Sequence, residues 1–300
     1  MANTVAAAEL LQWRRTQLQA GGQASQLDWL LDLEGGIRWQ TLQQLRLHPD
    51  RAVPLAAPLT RLEQLWQEHL HRGTPLQYLV GRCPWRDLEL EVAPGALIPR
   101  QETELLIDLA TDLIAPTLPP QDGANPWLWA DLGTGSGCLA LALARAWPGS
   151  KGFAVDQSPQ ALALAGRNLQ AYPLEAAVEL RQGSWWEPLI DSAGTLNLVV
   201  SNPPYIPTAV WAELEAGVRD HEPSLALDGG GDGLDAIRSI AAGAKSHLAP
   251  GGWLLLEHHH DQSSAVVALL IAAGLEQVQP HRDLEGVLRF ASGRRPGATP

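Results

Sequence analysis

The stretch Leu196-Asn197-Leu198-Val199-Val200-Ser201-Asn202-Pro203-Pro204-Tyr205 decides how this chain folds. Its short, β-branched apolar half reads as a buried strand, and the prolines stop that strand because proline donates no ladder hydrogen bond and fixes φ. The turn that follows is therefore rigid. Within it the Asn202 side-chain oxygen and the Pro203 carbonyl are acceptors, Pro203 biases Asn202 toward extended backbone, and Tyr205 offers an aromatic face. Two fixed acceptors and a ring suit a planar amide or amino group gripped by its two N–H bonds. An isolated Asn-Pro is an ordinary turn signal. Four consecutive residues of this kind at the mouth of an α/β sheet point to a site.

Upstream, Trp127-Leu128-Trp129-Ala130-Asp131-Leu132 reads as the first strand of an α/β domain, and Gly133-Thr134-Gly135-Ser136-Gly137 opens a helix from Cys138 to Trp147. Glycines in that place let the backbone approach a ligand and present N–H groups at a helix start. A second strand, Gly152 to Val155, ends in Asp156, about 20 residues past Gly137, where a carboxylate is placed to accept ribose hydroxyls. That spacing implies an adenosine-containing cofactor and leaves NAD and S-adenosylmethionine both open.

Asn202-Pro203-Pro204-Tyr205 resembles the catalytic motif of methyltransferases that modify glutamine amides or the exocyclic amino groups of adenine and cytosine. Leu97-Ile98-Pro99-Arg100-Gln101-Glu102-Thr103-Glu104, Asp131 to Gly137, and Leu254-Leu255-Leu256-Glu257-His258 narrow the match. Together they are similar to the HemK/PrmC family, the peptide chain release factor glutamine methyltransferases, over the stretch from about Pro75 to Arg289. The resemblance implies a class I methyltransferase fold, a Rossmann-like seven-stranded α/β sheet, with S-adenosyl-L-methionine as cofactor. It implies cofactor contacts at Gly133, Thr134, Gly135, Ser136, Gly137, Asp156, Trp185 and Asn202. Asn202, Pro203 and Tyr205 are the implied catalytic residues, and Asn202, Pro203, Pro204 and Tyr205 the implied substrate contacts. Two departures stand out: Ser184 occupies a turn where the family often has an acid, and Gln101 stands where proline is usual. Arg100 is expected to pair with a carboxylate, and Trp85 to fill an aromatic place in a hairpin.

Residues 1–74 read as a bundle of about four helices, which in the family helps to recognise the release factor. Residues 75–100 read as a β-hairpin linker with strands at Tyr78 to Val80 and Leu88 to Val92, and 101–300 as the catalytic domain. Pro116 to Pro126 reads as a further linker, and the long connection from Tyr205 to about Leu234 as a flexible wall over the substrate. Gly21-Gly22-Gln23 repeats the tripeptide that the family methylates, but two glycines ending a helix account for it.

The 300 residues carry a net charge of −12, with arginine supplying all the positive charge except Lys151 and Lys245. That balance argues against a broad phosphate-binding face, so no direct nucleic-acid contact is expected. A nucleic-acid amino methyltransferase shares the four motif residues but needs a base-flipping apparatus and a basic surface. A ribosomal-protein glutamine methyltransferase is the nearer rival, and a non-catalytic cofactor-binding regulator the remote one. No signal peptide or membrane span is evident, and Cys83 and Cys138 lack metal-type spacing, so a reduced, cytoplasmic monomer is expected. His258-His259-His260 cannot all face one ion from a strand, and no metal is expected.

Overall fold

The computed structural model describes residues 3–114, 127–174 and 177–297. The chain divides into two units, one of residues up to 81 together with 216–221, the other of residues 82–215 and 222 onward. The expected linker from Pro116 to Pro126 lies outside the described residues.

The first unit is built on helices α1 (Ala7–Ala20), α2 (Ala24–Leu33), α3 (Trp39–Leu45), α4 (Leu59–Arg72) and α5 (Leu76–Val80). Leucines at three- and four-residue spacing turn one helix face inward. Leu10, Leu27, Leu30, Leu62 and Trp66 are buried together. Two features depart from the all-helical expectation. Strands β1 (Asn3–Ala6) and β2 (Ala52–Leu55) pair antiparallel, with Val5 opposite Val53. Tyr78 to Val80, expected as a strand, instead closes α5, because Pro75 precedes that single helical turn and Gly81 ends it in the left-handed region at φ 78°. Gly21-Gly22-Gln23 joins α1 to α2. A Cβ at Gly22 would come within 2.5 Å of the Trp66 ring, and Gln23 forms a capping box with Gln26.

In the second unit, the hairpin runs through β3 (Arg82–Trp85) and β4 (Leu88–Glu91), and its Trp85 is buried. Then follow α6 (Leu105–Ile114), β5 (Leu128–Leu132), α7 (Cys138–Ala146), β6 (Lys151–Asp156), α8 (Pro159–Ala171), β7 (Val178–Gln182) and β8 (Leu196–Ser201). After the short turns α9 (Thr208–Trp211) and α10 (Ala216–Arg219), the second of which counts with the first unit, come α11 (Asp235–His247) and β9 (Leu248–Glu257). Helix α12 (Ser263–Ala272) and strands β10 (Glu276–Arg282) and β11 (Leu288–Arg294) end it.

The seven strands lie in the order β10-β11-β9-β8-β5-β6-β7, parallel from β9 to β7 and antiparallel at β11 and β10. Strands buried on both faces read as continuous apolar runs, which is what Leu254-Leu255-Leu256 and Leu198-Val199-Val200 are. Helices α6, α7 and α8 share one core with the sheet, and α11 and α12 the other. The order reverses at β5, whose neighbours are β6 on one side and β8 on the other. Ligands of such sheets bind outside the carboxyl ends of the strands at that reversal. Asp131, Asp156, Ser201 and Glu257 all stand at such ends.

Trp129 of β5 is wholly buried and lies opposite Gly152 of β6, where an added Cβ would stand 2.2 Å from the indole. Gly152→Ala is expected to destabilise the second unit by about 1–3 kcal/mol through overpacking, read as a lower denaturant midpoint at unchanged slope.

Candidate active site

At the carboxyl ends of β5, β6 and β8 lies a cleft of about 890 Å³, its open mouth included. Its wall includes Gly133, Thr134, Gly135, Ser136, Asp156, Trp185, Asn202 and Pro204, together with Arg100, Thr103, Cys138 and Ser184. Gly137, Pro203 and Tyr205 are not on it. Gly137 caps α7 at φ 83°, with its place for a Cβ taken up by Ala165 at 3.0 Å, so it serves helix packing. Pro203 is buried.

The glycine turn is shaped from both sides. Gly133 has φ 75°, which glycine adopts without strain, and Trp185 covers it at 3.5 Å from where a Cβ would be. Trp185 itself takes a left-handed backbone, φ 48°, a conformation a bulky residue holds only when its surroundings impose it. Asp156 accepts hydrogen bonds from the backbone N–H groups of Gly135 and Ser158, each at 2.9 Å. Burial nevertheless pushes its carboxyl above the ordinary range. Asp131 accepts from Thr134 Oγ1 at 2.6 Å and from the Ala140 N–H at 3.2 Å, both through Oδ2. Its Oδ1 is buried without a partner among the described residues, and burial raises this acid to about 7.

Asn202 follows directly on β8. Its Nδ2 donates to Thr103 Oγ1 at 2.9 Å, which leaves Oδ1 and the second N–H of the amide for other partners. Thr103 in turn donates to Glu257 Oε2 at 2.7 Å, and Tyr205 donates through its hydroxyl to Glu257 Oε1 at 3.1 Å. The sequence assigns Tyr205 an aromatic face toward the substrate, and the bond from its hydroxyl to Glu257 fixes only the far end of that ring. Its carbonyl accepts from Gln262 Nε2 at 2.9 Å, and burial together with the Glu257 charge holds its phenol far above the usual range. Glu257 is buried, which raises its carboxyl to about 7 against the lowering effect of the two hydroxyl donors.

The connection from Tyr205 to Leu234, expected as a flexible wall, is tied by its own backbone. Ile206 and Asp228 form a parallel bridge, Thr208 N–H donates to the Gly230 carbonyl at 2.9 Å, and Gln262 reaches the carbonyls of Asp232 and Gly233. Gly233 is needed there, since a Cβ would stand 2.3 Å from the Tyr205 carbonyl. Glu222 in this connection pairs with Arg100 at 2.6 Å and accepts from the Ile98 N–H at 3.1 Å. Ser184 turns its N–H to Glu187 Oε2 at 3.2 Å.

Sequence reasoning missed the parts played by Thr103, Glu222, Glu257 and Asn168. The last is buried and fastens the Glu91 N–H and carbonyl and the Ser136 carbonyl, joining β4 to the glycine turn. Both cysteines are free thiols, and at Cys138, the first residue of α7, burial lifts the thiol to about 12. The histidines leave β9 before they begin, so the strand reasoning does not apply to them. Potential ligand atoms of His259, His260 and Asp261 lie within 4.8 Å of one another, and His259 Nδ1 already contacts Asp261 at 2.7 Å.

A glycine turn that admits close approach, an acid at the second strand end and an aromatic lid suit an adenosine-bearing cofactor, and the residues present fit one. A family model described as "Methyltransferase small domain" matches residues 103–213. Solved structures share the fold: the hMettl16 catalytic domain in complex with an RNA hairpin aligns with TM-score 0.55 at 15% identity, covering 84% of this chain and 86% of that one. The Thermus thermophilus 16S rRNA N2 G1207 methyltransferase in complex with AdoMet and guanosine aligns with TM-score 0.50 at 19% identity, covering 71% and 49%. Fold and site define a class I methyltransferase that uses S-adenosylmethionine. A curated "Release factor glutamine methyltransferase" of Prochlorococcus marinus is 50% identical over 97% of both chains, and one of a Synechocystis species is 39% identical over 97% of both. The chain belongs to the release factor glutamine methyltransferase family.

Glu257 and Asp131 keep protons in the folded chain up to about pH 7, whereas the unfolded chain releases them near their ordinary values of 4.5 and 3.8. The folded state therefore binds more protons in that window, and stability from these groups is full below it, declines as pH rises through it and is level above about 7. Glu257→Gln removes one of the two contributions. Denaturant midpoints measured from pH 5 to 7 are expected to fall less steeply in the variant; parallel slopes would mean that Glu257 is ionised throughout.

Proposed function

We infer that this chain transfers the methyl group of S-adenosylmethionine to the side-chain amide nitrogen of the glutamine in the Gly-Gly-Gln motif of class I peptide chain release factors, in support of translation termination. The observation that carries this reading is Asn202 on the cavity wall, with Nδ2 committed to Thr103 and Oδ1 left for a donor. The names of the curated relatives support the choice of substrate. A glutamine side chain brings two N–H donors on one planar group, the complement of two acceptors fixed side by side.

An amide nitrogen is a weak nucleophile because its lone pair is delocalised. The bound cofactor supplies an electrophilic sulfonium methyl. Asn202 Oδ1 accepts one amide hydrogen. The carbonyl of Pro203, a residue itself buried off the cavity wall, accepts the other once the substrate amide reaches the turn. The two bonds raise electron density on the nitrogen and fix its direction of attack. Pro204 bounds the same wall. Tyr205 acts from behind it, its hydroxyl and carbonyl both fastened, to keep the turn in register. Gly133 to Ser136 would admit the cofactor close to the backbone, Asp156 would accept its ribose hydroxyls, and Trp185 would cover its adenine.

The first unit serves as the recognition surface for the release factor. No helix among the described residues is long and apolar enough to cross a membrane. The reading places the protein in the cytoplasm as a monomer that touches no nucleic acid directly, in keeping with its charge of −12.

Incubation with a purified release factor and S-adenosylmethionine is expected to add the mass of one methylene to the Gly-Gly-Gln glutamine, mapped by mass spectrometry of the peptides. Methyl found instead on a ribosomal protein or on DNA adenine would move the activity to that substrate. Asn202→Ala is expected to lower turnover about 100-fold or more while cofactor affinity changes far less. Asp156→Ala is expected to show the opposite division, weakening cofactor binding about 10-fold or more through loss of charged hydrogen bonds, as read by calorimetry.

A further inference from the structure

We propose that Thr103 and Glu257 are positioning residues that determine which end of the Asn202 carboxamide faces the methyl acceptor. The inference rests on the reading of Asn202 as the group that grips the substrate amide.

A carboxamide has a donor end and an acceptor end of nearly equal size, so shape alone does not orient it. If Asn202 turned over, its NH2 would meet the NH2 of the incoming amide, donor against donor. Something must hold it the right way, and among the described residues the hydrogen bond to Thr103 is what holds the Asn202 amide.

Thr103 can do this only if its own hydrogen points elsewhere, because a hydroxyl has one hydrogen and could otherwise offer it to Asn202 Oδ1. Glu257 directs that hydrogen. The carboxylate sits at the end of β9, 1% exposed, with Thr103 donating to Oε2 at 2.7 Å and Tyr205 to Oε1 at 3.1 Å. Above about pH 7, where Glu257 has given up its proton, the carboxylate has no hydrogen to give, so both hydroxyls must donate to it. The Thr103 oxygen then has only lone pairs for Asn202, which is obliged to offer Nδ2 and to turn Oδ1 toward the cavity. The order of polarity runs from a buried negative charge, through one hydroxyl, to the amide. The same carboxylate anchors Tyr205, three residues beyond Asn202, so the motif is held at both its first and last members. Thr103 and Glu257 are 2% and 1% exposed, and both come from chain segments remote from the motif.

The role separates from simple packing. Thr103→Val keeps the shape and removes the hydroxyl, and Thr103→Ser keeps the hydroxyl and removes a methyl. At pH 8 and saturating cofactor, Thr103→Val is expected to lower kcat about 10-fold through loss of preorganisation. Its cofactor Kd stays within about twofold of the parent, and Thr103→Ser restores most of the turnover.

The Asn202 side-chain NH2 resonances, assigned by their absence from Asn202→Asp, give a second measure that needs no substrate. They are expected to exchange slowly with solvent in the parent and in Thr103→Ser, and quickly in Thr103→Val. Equal exchange in all three proteins, or parental kcat in Thr103→Val, overturns the proposal. A parent protein that leaves the release factor glutamine unmodified, yet shows the difference in exchange, overturns the substrate reading alone.

Discussion

The parallel pairing of β5 with β8 is the constraint from which the site follows. Trp129 lies opposite Leu198, Ala130 opposite Val199 and Asp131 opposite Val200, and just past the last pair Ser201 Oγ donates to the Leu132 carbonyl at 2.6 Å. That ladder brings two stretches about 70 residues apart in sequence to end side by side. One continues into the glycine turn and the other into Asn202. A register slip of one residue would turn Asp131 to the opposite face of the sheet and separate the two.

Around that junction the sheet gathers carboxylates rather than cations. Asp131, Asp156 and Glu257 stand at the ends of β5, β6 and β9, and burial raises the proton affinity of each. Each is used differently. Asp156 is held by backbone N–H groups and keeps a face on the cavity, Glu257 is closed off behind two hydroxyls, and Asp131 ties Thr134 and the start of α7 to the strand. Buried polar groups that are nearly all satisfied make a stiff surround, and stiffness is what a reaction governed by orientation requires.

Much of this was legible in the sequence. Apolar runs ending in Asp131, Asp156 and Asn202 marked β5, β6 and β8 because strands buried on both faces have no other way to stop at a polar edge. The short elements were less legible. Tyr78-Leu79-Val80 has strand-forming residues, but Pro75 and Gly81 leave room for one helical turn only, and local punctuation outweighed propensity. β1 and β2 have four residues each and little alternation, so their pairing is visible only once the helices between them are folded. Thr103 and Glu257 stood within recognisable motifs without a role, since their roles come from partners 99 and 154 residues away. The wall from Tyr205 to Leu234 reads as flexible in the sequence because of its length. In the fold its glycines serve close contact, Gly233 against the Tyr205 carbonyl above all.

Cys138 has a consequence for chemical fidelity. A thiol on the wall of a cavity that holds a methyl donor is itself a methyl acceptor in waiting, and sulfur in its anionic form would outcompete any amide nitrogen. The start of a helix ordinarily favours that anion. Here burial wins and lifts the thiol to about 12, so sulfur stays protonated at neutral pH. The chain thus keeps a latent nucleophile on the wall of its cofactor cavity in a form that does not react with a methyl donor.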